Sequence, residues 1–234
     1  MVSVIVVDYG KDKLQGCLDS LKTQIYQDFE TIVVDNNEIN RGFAGGVNEG
    51  IRRAKGEYIA LLNNDARADK KWLAALMLSA RTNNAGMVAS KVLRPDGKIE
   101  SAGCVLYPDG NGMCRGRGAS QDDTRYNSRG VIGGFPSGCA ALYKRSMLDQ
   151  IGLFDETFFM YNEDTEMGIR ARRAGYACVY DPRAVVYHHG SKNTLRKLYY
   201  VERNRIRIMM RHFTFWLLVK SIPWTLLRYA RGGR

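Results

Sequence analysis

The sequence predicts an α/β fold in which a mostly parallel sheet is flanked by helices. Two observations predict it: short apolar runs typical of buried strands alternate along the chain with segments whose apolar residues recur at helix spacing. Strands that alternate with helices form a parallel sheet that is covered on both faces. A chain of 234 residues, of which 45% are hydrophobic, is sufficient for one such domain and a small appendage.

The first half of the chain contains four predicted strands with helices between them. The strands are expected at residues 2–7, 31–34, 58–62 and about 87–93. The helices are marked by three sets of apolar residues, namely Leu14, Cys17, Leu18 and Leu21; Ala44, Val47, Ile51 and Ala54; and Trp72, Leu73, Leu76, Met77 and Ala80. Each helix therefore follows one strand and precedes the next.

The second half begins with a stretch of a different character. Residues 96–129 are rich in Gly, Asp, Arg and Ser and show little periodicity, which predicts a long loop or a small excursion from the sheet. A strand at 139–143, a short helix at 144–151 and a helix that ends at Arg173, before Gly175, are expected after it.

The net charge of +11 is concentrated at the end of the chain. Residues 191–234 contain 11 Lys and Arg and one Glu, whereas the preceding 190 residues hold 24 basic and 23 acidic side chains. A nucleic-acid-binding protein would spread positive charge over a binding face, and the nearly neutral body disfavours that class. We therefore expect a body at 1–190 and a basic tail at 191–234.

Cysteine usage and the N-terminus both favour the cytoplasm. The five cysteines form no close C-x-x-C pair of a zinc or redox site, so a reducing compartment is the simplest interpretation. The chain enters its first strand without the basic, apolar and small-residue regions of a signal peptide.

Polar and acidic residues follow the first three predicted strands. Asp8 ends the first strand, Asp35 ends the second, and the third is followed by Asn63, Asn64 and Asp65. Such sheets bind ligands beyond the carboxyl ends of their strands. Carboxylates gathered at one edge require compensating donors or a cation, so the sequence predicts a divalent metal there.

A later segment provides a specific resemblance. Residues 152–164 read GLFDETFFMYNED and lead into the helix that ends at Arg173, and residues 40–50 read NRGFAGGVNEG. These segments resemble family 2 glycosyltransferases, whose pattern combines N-x-G-F-A-x-x-x-N-x-G, G-x-F-D-E-x-F-F, an E-D pair at a helix start and R-x-x-x-x-G. The likeness extends from Val2 to about Arg211.

The resemblance implies a GT-A, Rossmann-like catalytic domain at 1–190. Its nucleotide-sugar half is expected at about 1–95 and its acceptor half at about 130–190. The implied activity is metal-dependent, inverting transfer of a sugar from a nucleotide-diphosphate sugar to a hydroxyl of a glycan or lipid-linked acceptor. The overall pattern is most similar to bacterial rhamnosyltransferases of surface-polysaccharide assembly, which use dTDP-rhamnose, and a UDP-sugar is the other expected donor.

The resemblance also implies roles for individual residues. Asp164 corresponds to the catalytic base, and Asp65 and His188 to ligands of Mn²⁺ or Mg²⁺. Contacts to the nucleotide sugar are expected from Asp8, Tyr9, Asp35, Asn40, Gly42, Phe43, Asn48, Asn63 and Asn64. Contacts to the acceptor or donor sugar are expected from Ser137, Gly138 and Glu163.

Physical chemistry agrees with these roles. A divalent cation on oxygen ligands neutralises the growing charge of a diphosphate leaving group. A carboxylate such as Asp164 takes the proton of the attacking hydroxyl, and a single displacement inverts the anomeric carbon. Two departures from the family pattern stand out: the usual D-x-D reads N-N-D at 63–65, and the first strand ends in D-Y-G at 8–10 rather than T-Y-N.

Two other functions are alternatives to this interpretation of the sequence. A sugar nucleotidyltransferase shares the sheet and the metal-bound nucleotide, but it would need a basic Gly-rich loop near the N-terminus, where this chain has D-Y-G-K at 8–11. A basic nucleic-acid-binding protein is the non-enzymatic alternative.

The tail predicts a peripheral membrane segment. Residues 195–212 keep helix spacing with Arg and Lys between the apolar positions, as in a basic amphipathic helix. The apolar run 213–219 is far shorter than the ~20 residues of a membrane span. Aromatic residues among arginines favour an anionic headgroup region at the inner face of the cell membrane. Packing on the body or on a second subunit is the alternative, and the oligomeric state stays open.

Overall fold

The computed structural model describes residues 1–10, 13–81, 85–190 and 194–230. Of the predicted tail, 191–193 and 231–234 therefore lie outside the described residues. The strands are β1 (Val2–Asp8), β2 (Phe29–Asp35), β3 (Tyr58–Leu62), β4 (Ala66–Ala68), β5 (Ala85–Leu93), β6 (Ile99–Ala102), β7 (Cys104–Leu106), β8 (Gly112–Cys114), β9 (Gly130–Ile132), β10 (Ala140–Lys144) and β11 (Ala177–His188). The helices are α1 (Leu14–Lys22), α2 (Gly42–Arg53), α3 (Trp72–Ala80), α4 (Arg145–Ile151), α5 (Glu163–Arg173), α6 (Leu195–His212) and α7 (Phe215–Ala230).

A mixed sheet forms the centre of the fold, with the strand order β2-β1-β3-β10-β5-β11-β4. Strands β2, β1, β3, β5 and β11 run in one direction, whereas β10 is antiparallel to both β3 and β5, and β4 is antiparallel to β11. The predicted α/β fold with a mostly parallel sheet flanked by helices is thus confirmed. The sequence pattern did not reveal that β10 inserts in the opposite direction.

The alternation of side chains along β1 explains why helices cover both faces of the sheet. All seven residues of β1 are buried. Val4 and Val6 pack into one core cluster, with residues of α1 and α3, while Ile5 and Val7 pack into the other, with residues of α2, α4 and α5. Successive side chains of a strand point to opposite faces, so an uninterrupted apolar run marks a strand covered on both sides.

Strand register brings the predicted polar residues to one edge. Asp8 at the end of β1 lies directly opposite Asp35 at the end of β2. In the β1–β3 pair, Ile5 lies opposite Leu61, and continuing that register by three residues places Asn64 beside Asp8. The carboxyl ends of the first three strands therefore meet.

The excursion at 96–129 contains short strands that the sequence pattern did not resolve. Strand β6 pairs with β5, and β7 and β8 form a small separate hairpin. The Sγ atoms of Cys104 and Cys114 face each other across this hairpin at 2.9 Å. The excursion is folded against the body, since the backbone of Cys104 exchanges two hydrogen bonds with Phe135.

Helix α6 has the predicted bounds. Its buried residues are Asn204, Arg205 and Ile208, whereas Leu195 and Met210 are 86% and 77% exposed. Most of its apolar side chains thus point away from the body, and the buried side consists of two polar residues and one isoleucine.

Helix α7 continues through Pro223. Proline lacks a backbone N–H, so it removes one donor from the interior of this helix. Among the described helices none is both long and apolar enough to cross a membrane.

Candidate functional site

The ends of the first three strands are joined by carboxamide hydrogen bonds. Asn64 Nδ2 donates to Asp8 Oδ1 at 2.9 Å and to the carbonyl of Tyr9 at 3.1 Å. Asn37 Nδ2 donates to Asp8 Oδ2 at 3.1 Å and to Asp35 Oδ1 at 2.9 Å. These amides provide the donors that two neighbouring carboxylates require, so part of the expected compensation comes from the protein itself.

The start of α2 closes this edge of the site. The side chains of Asn36 and Asn40 accept hydrogen bonds from Arg41 N–H and Gly42 N–H at 2.9 and 3.0 Å. Gly42 has φ +72°, and a Cβ there would lie 2.3 Å from the carbonyl oxygen of Phe159. Only glycine combines this backbone conformation with such close contact. The next residue, Phe43, is thereby placed at the site.

Asp65 and His188 form the candidate metal pair. Asp65 follows β3 and His188 ends β11, and His188 Nε2 lies 3.1 Å from Asp65 Oδ1. The opposite ring nitrogen, Nδ1, lies 2.9 Å from Glu100 Oε2 of β6, and Lys13 Nζ lies 3.4 Å from Asp65 Oδ2. A carboxylate on the far nitrogen of a metal-binding histidine is a common arrangement that fixes the ring orientation.

Neighbouring charged groups shift the pKa values of Asp65 and His188. Burial raises the pKa of Asp65, but the hydrogen bond from His188 and the charges of His188 and Lys13 outweigh it, so the pKa is lowered. Burial lowers the pKa of His188, but contacts with Cys139, Asp65 and Glu100 raise it well above the usual range. The raised pKa of His188 favours its protonated form, so a cation at this pair would have to displace the proton from Nε2 before that nitrogen could bind it.

The pair alone is an incomplete metal site. Within the residues that the structure describes, no group of three or more His, Cys, Asp and Glu side chains is arranged to hold an ion. Glu100 lies on the side of the His188 ring opposite Asp65, so it cannot bind the same ion as the pair. A cation here would need further ligands, and oxygens of a bound diphosphate are the kind that Mg²⁺ and Mn²⁺ accept.

Asp164 is held at the first turn of α5. Its Oδ2 accepts a hydrogen bond from Gly138 N–H at 3.0 Å, and its Oδ1 accepts from Thr165 N–H at 2.7 Å. Burial raises the pKa of Asp164, and these hydrogen bonds limit the rise because they favour the charged form. The result is an oriented carboxylate whose basicity is above that of an ordinary aspartate.

Glu163 lies beside Asp164 and differs from it. Burial, and after it the charge of Asp164, raise the pKa of Glu163 well above its usual value. Glu163 Oε2 and the hydroxyl of Tyr143 are buried oxygens without a hydrogen-bond partner among the described residues. Burial thus raises the pKa of both neighbouring carboxyls, and the two groups titrate as an interacting pair.

Helix α6 holds the segment that precedes Asp164. Phe159, Tyr161 and Asn162 all have positive φ, which side chains other than glycine rarely adopt and which costs ~1–3 kcal/mol at each position. Asn204, fully buried, donates to the carbonyls of Phe158, Met160 and Tyr161 at 2.8, 2.9 and 2.6 Å. The strained turn is therefore fixed from the tail.

The arginines of α6 also contact the body. Arg203 donates to the carbonyls of Thr157 and Phe158, both at 2.9 Å, and Arg205 donates to the carbonyl of Asp109 at 2.8 Å. Arg196 is within hydrogen-bond reach of Tyr9 and Tyr200, which places the first turn of α6 next to an expected nucleotide contact. These bonds join α6 closely to the predicted 1–190 body.

The structure brings most of the predicted site residues to one edge of the sheet. Asp8, Tyr9, Asp35 and Asn64 form the network described above, and Asn63 donates its N–H to the carbonyl of Cys139 at 2.9 Å. Ser137 and Gly138 form the turn before β10. A Cβ on Gly138 would lie 3.3 Å from the Phe43 ring and 3.6 Å from Glu163, so these three residues converge beside Asp164.

Asn48 lies elsewhere. Its Nδ2 donates to the Phe154 carbonyl at 2.8 Å and to Glu156 Oε1 at 2.9 Å, and its Oδ1 accepts from Phe154 N–H at 3.0 Å. The buried amide thus ties α2 to the segment before α5. Its predicted contact with the nucleotide stays a prediction, and this placement favours a structural role instead.

Two residues that support the site were not predicted from the sequence. Glu100 lies in the excursion, where nothing in the local pattern links it to a histidine 88 residues later. Asn204 could have been noticed, because it shares a helix face with Val201, Arg205 and Ile208. A carboxamide on a face with apolar residues suggests a buried amide, and buried amides are hydrogen-bonded.

Comparisons with known proteins point to one family of enzymes. The model of "Glycosyl transferase family 2" matches residues 36–152, half of the chain. The N-acetylglucosaminyl-diphospho-decaprenol L-rhamnosyltransferase of Mycobacterium tuberculosis is 46% identical over 63 residues, which cover 27% of this chain and 20% of that protein. The O-antigen biosynthesis protein RfbC of Myxococcus xanthus is 27% identical over 226 residues, which cover 81% of this chain and 17% of that protein.

Solved structures show the same fold at low sequence identity. GalNAc-T7 with UDP, GalNAc and Mn²⁺ superposes with a TM-score of 0.66 at 14% identity, over 89% of this chain and 47% of that one. The mannosyltransferase PcManGT of Pyrobaculum calidifontis, in complex with GDP-Man and Mn²⁺, gives 0.57 at 15% identity, over 97% and 80%.

The chain is short beside its relatives, since it spans 17% to 24% of the length of the first four curated relatives. The match to the family model nevertheless includes the Gly42 segment, β3 with Asp65, and β10. The neighbouring structures share the GT-A fold that the resemblance implied. The protein therefore belongs to glycosyl transferase family 2.

Proposed function

We propose that the chain is a metal-dependent, inverting glycosyltransferase that transfers a sugar from dTDP-rhamnose or a UDP-sugar to a hydroxyl of a glycan or lipid-linked acceptor. The observation that supports it most is the Asp164 carboxylate, oriented by Gly138 N–H and Thr165 beside the edge that holds Asp65 and His188. Family membership favours glycosyl transfer over nucleotidyl transfer and over nucleic-acid binding.

Asp164 is the proposed catalytic base. Its carboxylate takes the proton of the acceptor hydroxyl while that oxygen attacks the anomeric carbon, and the nucleoside diphosphate leaves from the opposite side. One displacement gives inversion. The N–H groups of Gly138 and Thr165 orient the carboxylate and favour its charged form for this step.

The donor is proposed to lie along the carboxyl ends of β1, β2 and β3. Four residues of the strand ends are proposed to contact the nucleoside, namely Asp8, Tyr9, Asp35 and Asn64. Gly42 and Phe43, at the start of α2, are proposed to border the sugar. Asp65 and His188 would hold Mn²⁺ or Mg²⁺, which when bound neutralises charge on the diphosphate. Glu100 keeps the His188 ring turned toward Asp65.

The names of two relatives support the choice of substrates. One is a rhamnosyltransferase whose name includes a diphospho-decaprenol, and another is an O-antigen biosynthesis protein. Transfer of rhamnose to a lipid-linked or polysaccharide acceptor is therefore the specific form that we favour.

We further propose that the protein is cytoplasmic and peripheral on the inner face of the cell membrane, through α7. Phe215 and Trp216 are each 70% exposed, and Ile222, Trp224 and Leu226 are exposed on the same helix. Apolar and aromatic side chains of this kind insert at the boundary between headgroups and acyl chains. Arg203, Arg205 and Arg207 are engaged with the body and are not part of this surface.

Calorimetric titration with UDP, dTDP and GDP, each with and without Mn²⁺, tests the proposal. We expect tight binding of one nucleotide that depends on the metal, and an anomeric configuration in the product, determined by NMR, opposite to that of the donor. Failure of all three nucleotides to bind would contradict the donor assignment, and retained configuration would contradict the role of Asp164.

A further inference from the structure

A cavity of about 730 Å³ lies in the excursion, next to the strand β8 that packs on the first turn of α5. It is lined mainly by residues of the β7–β8 hairpin and the loop that follows, among them Tyr107, Cys114, Arg115, Arg117, Arg125 and Tyr126. Neither the strand-end network nor the metal pair contributes to this lining. The cavity is therefore separate from the proposed donor site.

The lining is strongly basic. Three of its residues are arginines, and none of the described residues that line it is Asp or Glu. Arg125 is paired with Asp123, with Nη2 2.6 Å from Oδ2. Arg115 donates to the carbonyl of Ala102 at 3.1 Å and lies 5.9 Å from the centre of the Tyr126 ring. Arg115 and Arg117 thus form no ion pair with a carboxylate among the described residues.

Arg117 is the most available of these charges. Its side chain is exposed, and it takes part in none of the ion pairs formed among the described residues. Lys197, in the first turn of α6, has its pKa lowered by burial and by the charge of Arg117, which supports a shared positive region on this side. Guanidinium groups bind phosphate and carboxylate through paired N–H donors.

The hairpin connects the cavity to Asp164. A Cβ on Gly112 of β8 would lie 2.2 Å from Thr165 Oγ1, so β8 packs directly on the first turn of α5. Thr165 donates its N–H to Asp164 Oδ1 at 2.7 Å. Two residues along β8, Cys114 lines the cavity. Strand β8 therefore contributes both to the lining of the cavity and to the packing around the Asp164 carboxylate.

We propose that this cavity binds an anionic group of the acceptor, a phosphate or a carboxylate attached to the sugar whose hydroxyl Asp164 deprotonates. Arg117 and Arg115 provide the hydrogen bonds to the anion, and Tyr107 and Tyr126 provide flat surfaces beside it. The proposal rests on the proposed function, because it treats the occupant as the acceptor. Two sources share this chemistry: the diphosphate of a lipid carrier and the carboxylate of an acidic sugar.

The test uses inorganic pyrophosphate and glucuronate as probes for the two sources, titrated by calorimetry in EDTA. Without metal, the carboxylates at the strand ends disfavour binding of either anion at the donor site. We expect one probe to bind, and Arg117→Gln to weaken it by about tenfold, the loss of one charge-assisted contact. Arg117→Glu should weaken it further. Arg129→Gln is the matched control, because Arg129 is an exposed arginine of the same excursion outside the lining.

The outcomes separate this proposal from the proposed function. If neither probe binds, or if Arg117→Gln and Arg129→Gln bind the probe equally well, the anion site is wrong, even where the nucleotide still binds with Mn²⁺. If the probe binds as expected but no nucleotide binds, the donor assignment fails instead. Stronger binding of pyrophosphate than of glucuronate identifies a lipid-linked diphosphate as the source, and the reverse identifies an acidic sugar.

Discussion

The donor half and the base half of the site are built in different ways. In the donor half, Asp8 and Asp35 end β1 and β2, Asn64 follows β3, and parallel register places these three residues together. In the base half, Asp164 follows a turn with three positive φ values that α6 holds through Asn204. Short-range strand geometry thus determines the first half, whereas the second depends on a helix that begins 31 residues after the base.

The largest effect is expected at Asp164 itself. Asp164→Asn should lower the turnover number by a factor on the order of 10² to 10⁴, the usual contribution of a general base. Metal-dependent nucleotide binding should be unchanged, because the side chain contacts no predicted donor residue of the strand ends. Steady-state kinetics with calorimetry measure both. Asp149→Asn, an exposed aspartate of α4, is the control.

The same residue predicts a pH dependence. Because burial raises the pKa of Asp164, the base is protonated at a higher pH than an ordinary aspartate. Activity should therefore fall on acidification, and the acidic limb of the rate profile should lie above the usual aspartate pKa. An acidic limb at or below the usual aspartate value would contradict the buried environment of the base.

The second effect concerns the donor half. His188→Ala should weaken metal-dependent nucleotide binding by roughly 10- to 100-fold, with Asp65→Asn similar, because each removes one of two protein ligands. Binding without metal should be little affected. Calorimetry with and without Mn²⁺ measures this, and His189→Ala is the matched control because His189 is exposed. Equal losses for the two histidines would remove the metal role from His188.

The third prediction tests whether α6 holds the base. Asn204→Ala removes the Asn204 donor from the carbonyls of Met160 and Tyr161 and one of the two side-chain donors of Phe158, and it should destabilise the protein by ~1–3 kcal/mol. It should also lower the turnover number while nucleotide affinity stays the same. Thermal unfolding, kinetics and calorimetry separate these effects. Met210→Ala, exposed on the same helix, should change none of them.

A fourth prediction separates structure from binding at Asn48. Asn48→Ala should destabilise the fold by ~1–3 kcal/mol, because it removes three hydrogen bonds to the segment before α5. Nucleotide affinity should change little. Asp8→Ala provides the contrast, since it should weaken nucleotide binding. A large loss of affinity in Asn48→Ala would restore its predicted nucleotide contact.

The smallest effect is expected from α7. Replacing Trp216 and Trp224 by serine should reduce sedimentation with anionic liposomes several-fold and leave turnover of a soluble acceptor unchanged. Leu78→Ser is the control, because Leu78 is a half-exposed apolar residue of α3 in the body. Unchanged sedimentation of the double variant would exclude α7 as the membrane contact.

Much of the fold and part of the site followed from the sequence, because local patterns specify them. Apolar runs predicted β1, β3 and β5, and helix spacing predicted α1, α2, α3 and α6, since each depends on neighbours within a few residues. The antiparallel insertion of β10 did not follow, because its partners β3 and β5 lie far away along the chain, and the strands β6 to β9 are too short to show a pattern.

What the sequence determined by itself was the family of the protein and its α/β fold, while the roles of Asp65, Asp164 and His188 stay predictions. What only the tertiary structure decided was how those residues are held. Glu100 reaches His188, Asn204 fixes the turn before Asp164, Asn48 serves the scaffold, and most apolar side chains of α6 point outward. The physical reason is that periodicity records whether a side chain prefers burial, while the partner of a buried polar group depends on contacts between distant segments.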